Sequence, residues 1–278
     1  MNKIRKISLF LCIVFLFSFL GACTNQADDV SPTKGDQQIQ KAESTPNAND
    51  SVPTEDCTYE IESKSWGEAA IAVTYPTIVN CDDQVWADEI NEIIASDLYN
   101  VIDGSKGIRA LAENPDTVTI EANYNYSDSI ETILSIEYIG VYNVEKSAYP
   151  VNFFHTLTIS LDNAESLTLS DLFVIDQVFV DAFKMGNYAP YSSDLDLEAA
   201  GENVQNIISN QYTDEELLAW FSDAEVDFYM TESGVILSIE VPHVLGDHLE
   251  MAVNYENIES NIIGENPVWA SYGFLRGE

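Results

Sequence analysis

The sequence predicts an α+β fold, an antiparallel β-sheet meander with helices packed on one face. Three observations carry this. Apolar residues recur at 3.6-residue spacing between Asp83 and Gly104, they recur at every second residue in three successive runs between Thr117 and Leu161, and short turn sequences separate those runs. Of the 278 residues, 46% are hydrophobic and 11% aromatic, enough for a sizeable core and too apolar for a disordered acidic chain.

At the N-terminus, Lys3, Arg5 and Lys6 precede a 14-residue apolar run, Ile7 to Leu20, broken only by Ser8 and Ser18 and followed by Gly21 and Ala22. This pattern predicts a secretory signal over residues 1–22. The rival reading, a permanent transmembrane helix, is disfavoured because such a span needs roughly 20 apolar residues. Leu20-Gly21-Ala22-Cys23 resembles the lipobox of bacterial lipoproteins. The resemblance implies lipidation of Cys23, with acyl chains anchoring the protein at the extracytoplasmic face of the cell membrane; two or three chains, at about 0.8 kcal/mol per buried methylene, hold where one is marginal. Residues 23–56 hold three prolines and no aromatic residue, so a disordered tether is expected, with a reach of about 30 Å.

Of the four cysteines, Cys12 leaves with the signal and Cys23 is taken by the lipid, which leaves Cys57 and Cys81 where oxidation is permitted. A disulfide between them is expected, worth about 3 kcal/mol in the chain-entropy picture. Two free thiols are the alternative.

Residues 57–112 read as a hairpin plus a helix. Thr58–Lys64 and Ala69–Tyr75 are β-prone runs around Trp66-Gly67-Glu68, and Pro76 is expected to end the second. Trp86, Ile90, Ile93, Ile94, Leu98 and Val101 then share one helical face, with Gly104 as a stop. Residues 113–278 read as the main α+β domain. Val118, Ile120, Ala122, Tyr124 and Tyr126 alternate with polar residues, Ser127-Asp128 is expected to turn the chain into a second strand with Ile130, Thr132, Leu134, Ile136 and Tyr138, and Phe153, His155, Leu157, Ile159 and Leu161 point inward on a third strand. Ser170-Asp171 reads as a helix start, and helices are expected over 174–185 and 196–210. Thr213 and Glu216 form a capping box before Leu217–Phe221. Strands at 226–230 and 235–239 flank Glu232-Ser233-Gly234 as a hairpin, and 249–255 alternates again.

Charge limits the partners. The chain has 11 Lys plus Arg against 47 Asp plus Glu, and removing Lys3, Arg5 and Lys6 leaves 8 bases against 47 acids, a net charge of −39. Such a body repels phosphate backbones, so nucleic acid is excluded as a partner, and contact with a membrane is expected through the lipid alone. Unpaired carboxylates confer solubility under any function; they also speed encounter with cationic proteins.

No G-x-S-x-G, G-x-G-x-x-G, P-loop, H-E-x-x-H or C-x-x-C is present, so no catalytic residue is assigned and a non-enzymatic protein without cofactor is expected. His155 lies on the apolar face of its strand, where a hydrogen-bonded core imidazole is commoner than a catalytic base. His243, Asp247 and His248 have a spacing that supplies two zinc ligands, but Pro242 and Gly246 make the segment a loop and two ligands do not fix a zinc ion. In the run from Asp194 to Gln205, Ala199 stands where an EF-hand needs Gly, and the twelfth position is Gln205 instead of Glu, so no metal site is assigned. The candidate binding loop is 187–194, with Tyr188, Tyr191 and Asp194 beside Asp196, because it sets tyrosine, proline and acids outside any periodic element; an ordinary exposed connection fits the same residues.

Several segments are familiar in their order: Tyr138 with Val141-Tyr142, Tyr149-Pro150-Val151-Asn152, Leu167-Thr168-Leu169-Ser170-Asp171-Leu172-Phe173, Phe228-Tyr229 with Ser233-Gly234, and Val241-Pro242-His243 with Leu245-Gly246. Together, over residues 57–260, they resemble the extracytoplasmic domain of RsiV-type anti-sigma factors, which bind lysozyme, and the non-catalytic region of PdaC-type peptidoglycan deacetylases. The Leu-Thr-Leu-Ser-Asp-Leu-Phe segment is the most specific part. The resemblance implies an α+β domain and a binding module; with the lipobox and the acidic charge, the expectation is a lipid-anchored module whose partner is a cationic protein such as lysozyme, or a cell-envelope component, and no motif carries lysozyme binding over residue by residue. The alternative is a cell-wall glycan hydrolase or deacetylase-related enzyme working through carboxylates such as Asp194 and Asp196.

Overall fold

The stripe of apolar residues read at 3.6-residue spacing forms helix α1 (Gln84–Asp103), which starts where the Asp83 carboxylate accepts the Trp86 N–H (3.1 Å) and stops at Gly104. The structure, a computed structural model, describes residues 58–67, 70–190 and 196–269. Ala87, Ile90, Ile94, Leu98 and Ile102 on α1 are buried against a six-stranded sheet. Its strands are β1 (Glu60–Trp66), β2 (Ile71–Val79), β3 (Thr119–Ile130), β4 (Ile133–Asn143), β5 (Val151–Ser160) and the two-residue β6 (Glu165–Ser166), lying side by side in chain order. The meander from β3 to β6 is antiparallel, as expected.

The pairing of β2 with β3 is parallel, running from Ile71 opposite Ile120 to Val73 opposite Ala122. A parallel pair needs a crossover, and α1 lies within it. The boundary expected between residues 112 and 113 therefore runs through one sheet. The ladder between β2 and β3 ends at Val73, so Pro76 meets no partner on that side, and β2 continues to Val79 instead of ending at the proline. The turn expected at Ser127-Asp128 is an irregularity in the β3–β4 ladder; the chain reverses at Glu131-Thr132. Close approach of β3 and β4 leaves no room for a side chain at Gly140, where a Cβ would stand 2.0 Å from the Glu121 carbonyl oxygen.

The remaining elements form a second layer: α2 (Leu169–Leu172), α3 (Gln177–Lys184), β7 (Asn187–Tyr188), α4 (Val204–Gln211), α5 (Asp214–Phe221), β8 (Phe228–Met230), β9 (Gly234–Glu240) and β10 (His248–Asn254). The four strands pair in the order β7-β10-β9-β8, and Phe179, Phe183, Ile208 and Phe221 pack on Leu237, Leu249 and Met251. The fold is α+β as expected, but its strands form two sheets, the first packed with α1 and the second with the helices that follow. The helix expected over 174–185 begins at Gln177, because Asp176 accepts the Phe179 N–H and caps it. The helix expected over 196–210 is a turn followed by α4: Gly201 takes φ +90°, outside the helical region, and Asn203 caps a new start. The capping box at Thr213 and Glu216 forms as read, with the Thr213 N–H donating to Glu216 (2.8 Å) and the Glu216 N–H to Thr213 (3.2 Å).

Strand alternation explains how the layers meet. Leu134, Ile136, Tyr138, Leu157 and Ile159 face α1, while Ser135, Thr156, Thr158 and Ser160 point to the other side and are buried as well. Strand β8 lies over those hydroxyls: the Phe228 N–H donates to Thr156 (2.8 Å) and the Met230 N–H to Ser135 (3.0 Å). The edge N–H groups of β8 are thus satisfied by side chains of the neighbouring sheet. Both cores lie in one compact unit, Asp50–Glu278.

Candidate functional site

Two hairpin tips from the two sheets meet at the start of β5. One is the β4–β5 connection, residues 144–150, where Lys146 takes φ +72°; the other is the β9–β10 connection, residues 241–247, where a 3-10 turn (His243–Leu245) leads into Gly246 (φ +109°) and Asp247 (φ +71°). The left-handed conformation suits Gly246 and is strained at Asp247, which the surroundings hold in place. Asn152 binds both residues, its backbone N–H donating to the Asp247 carboxylate (2.8 Å) and its side-chain amide to the Gly246 carbonyl (3.1 Å). The same carboxylate lies 2.9 Å from Nδ1 of His243.

On this brace stands an exposed aromatic and apolar cluster. The Tyr149 ring stacks on His243 (centroids 5.3 Å, interplanar 18°), with Tyr149 64% exposed and Val244 87% exposed. Half-buried Tyr142 lies behind it, its phenol pKa pushed up by burial and then by the negative charges of Asp247 and Glu240. The tip therefore joins apolar contact area to negative potential. Chemically it can bind; it holds no nucleophile paired with a base.

Of the four residues expected to form a binding loop, Tyr188 and Asp196 are among the described residues. Tyr188 pairs with Met251 in the second sheet and its hydroxyl accepts the Leu197 N–H (3.3 Å), so the ring is half-buried. Asp196 accepts the Ala199 N–H (3.0 Å) and serves a local turn. Tyr191 and Asp194 lie outside the described residues, as do Cys23 and Cys57; Cys81 is buried just beyond β2.

The three histidines take separate carboxylates. His155 is held by Asp97 of α1 (2.8 Å) and by Asp227 before β8 (3.2 Å). Burial would lower its pKa, but the hydrogen bonds to Asp227 and Asp97 outweigh that and raise it to about 10. It is a cation at neutral pH, which removes it as a general base. His248 has Nδ1 2.5 Å from Glu250 and its ring stacked on Phe154. Among the described residues no three His, Cys, Asp or Glu side chains converge as metal ligands. An open cleft of about 450 Å³ runs along α1, lined by Glu89, Glu92 and Asp97 and, opposite them, Ala164 and Ser166.

No family model matches the sequence, and no curated protein matches it. Among solved structures, a member of the DUF3298 family from Bacteroides fragilis is similar with a TM-score of 0.51 at 13% identity, over 78% of this chain and 98% of that one. This chain has the fold of a DUF3298 protein. A second DUF3298 protein, from Pseudomonas aeruginosa PAO1, reaches a TM-score of 0.42 at 11% identity, over 76% of this chain and 95% of that one.

The sequence singled out both halves of the tip, Tyr149-Pro150-Val151-Asn152 and Val241-Pro242-His243 with Leu245-Gly246, without joining them. Their sequence separation hid the contact. Asp247 was read only as a companion of the two histidines; the signal for its bracing role is its place after Gly246, where a hairpin requires left-handed residues.

Proposed function

We propose that this protein is a lipid-anchored, extracytoplasmic, non-enzymatic binding module that captures a cationic protein such as a lysozyme through the tip built on Tyr149, His243 and Asp247. The observation that carries the reading is the convergence at one exposed, braced tip of two segments on which the family resemblance rests. Charge supports the choice of partner: the chain holds 47 acids against 11 bases, and Lys106, Arg109, Lys146 and Lys184 each already meet a carboxylate. Long-range attraction brings the partner in, and the aromatic tip supplies contacts that salt does not screen.

Calorimetry of Asp50–Glu278 with a basic lysozyme, at low and physiological salt, tests this against an equally basic protein that is not a hydrolase. Selective binding at physiological salt is expected, weakened at least tenfold by Tyr149→Ala with the circular dichroism spectrum unchanged. Equal binding to both proteins, or none, overturns the reading.

A further inference from the structure

Strand β1 ends the six-stranded sheet, and no described strand pairs with its outer side. Its sequence is Glu-Ile-Glu-Ser-Lys-Ser-Trp, and Glu60 and Glu62 to Ser65 are exposed. An open edge of seven residues is a template for a further strand. Lys64 stands next to its central residue, Ser63. Lys106, Arg109, Lys146 and Lys184 are consumed by ion pairs, but Lys64 has none among the described residues, although acids outnumber bases about four to one in the chain. Glu62, two residues away on the same face of the strand, likewise has no ion-pair partner among the described residues.

We infer that this edge is a self-association surface on which a second copy of the chain pairs β1 to β1, antiparallel, about a two-fold axis through Ser63. In that register Glu62 of each copy stands opposite Lys64 of the other, twice by symmetry, and Ile61 stands opposite Ser65. Charge singles out this register. Centring the axis on Glu62 sets the two Glu62 side chains against each other, and centring it on Lys64 opposes the two lysines. A lysine on an edge strand ordinarily blocks pairing, because its charge goes unanswered in the incoming strand; here the incoming strand carries the answering carboxylate. The pairing joins two six-stranded sheets into one and leaves the tip at the start of β5, four strands away, uncovered.

Disulfide trapping reads the register directly. Opposed residues in an antiparallel pair have Cα atoms about 4.5–5.5 Å apart, inside the range a disulfide spans, whereas two Ser65 residues would lie about 13 Å apart in the inferred register. In Asp50–Glu278 at 0.15 M salt, Ser63→Cys is expected to cross-link into a dimer at least tenfold faster than Ser65→Cys, with the unsubstituted domain as the baseline for Cys57 and Cys81. Sedimentation equilibrium is expected to show a dimer that Lys64→Glu dissociates and that Glu62→Lys combined with Lys64→Glu restores. A monomer at all concentrations, equal cross-linking at both positions, or a dimer indifferent to Lys64→Glu overturns the inference.

Discussion

The imidazole of His155 carries its charge because two carboxylates outweigh its burial, and those carboxylates come from α1 and from the segment before β8. One proton thus ties a helix, a central strand and the second layer. Its pKa in the folded protein, about 10, stands above the ordinary value of 6.5, so its contribution to stability is complete below about pH 6.5 and is lost as pH rises through 10. The urea midpoint is expected to fall between pH 7 and pH 10.5, and His155→Gln is expected to cost about 3 kcal/mol near neutrality and to flatten this pH dependence. A variant with the same pH slope as the parent would show that other groups are responsible. The inward position of His155 was legible from period-two alternation. Its partners were not: Asp97 lies 58 residues away on another element, and nothing local marks it among so many acids.

At the scale of elements, the β1–β2 hairpin carries a prediction about covalent closure. In its register Glu60 stands opposite Val79, which brings the chain entering β1 beside the end of β2, where Cys81 is buried. A Cys57–Cys81 bridge would close the open end of this hairpin and contribute about 3 kcal/mol. Mass spectrometry of a non-reduced digest should find the peptides of Cys57 and Cys81 joined; alkylation of both thiols in the native protein would exclude the bridge. The hairpin, α1 and the meander were readable because each has a strong local period. The end of β2 was not, since Pro76 breaks a strand only where its missing N–H is needed, and that depends on whether β3 still runs alongside. Helix ends failed for a similar reason: Asp176 and Asn203 decide the starts of α3 and α4, and residues able to cap are frequent in this chain.

At the scale of the whole molecule, the proposed lipid anchor carries a prediction of its own. Replacing Cys23→Ala is expected to abolish incorporation of labelled palmitate and to move the protein from the membrane to the soluble fraction; an unlabelled parent protein would refute lipidation. The sequence by itself determined the α+β class, the apolar faces of α1 and of the strands, the capping box at Thr213 and the acidic balance, because composition and periodicity are properties of neighbouring residues. Tertiary structure alone decided that there are two sheets, that β2 and β3 run parallel, that His155 has two carboxylate partners, and that Tyr149 and His243 stack at one tip. Periodicity reports which face of an element is buried, while the identity of the element that buries it depends on contacts between residues far apart in the chain.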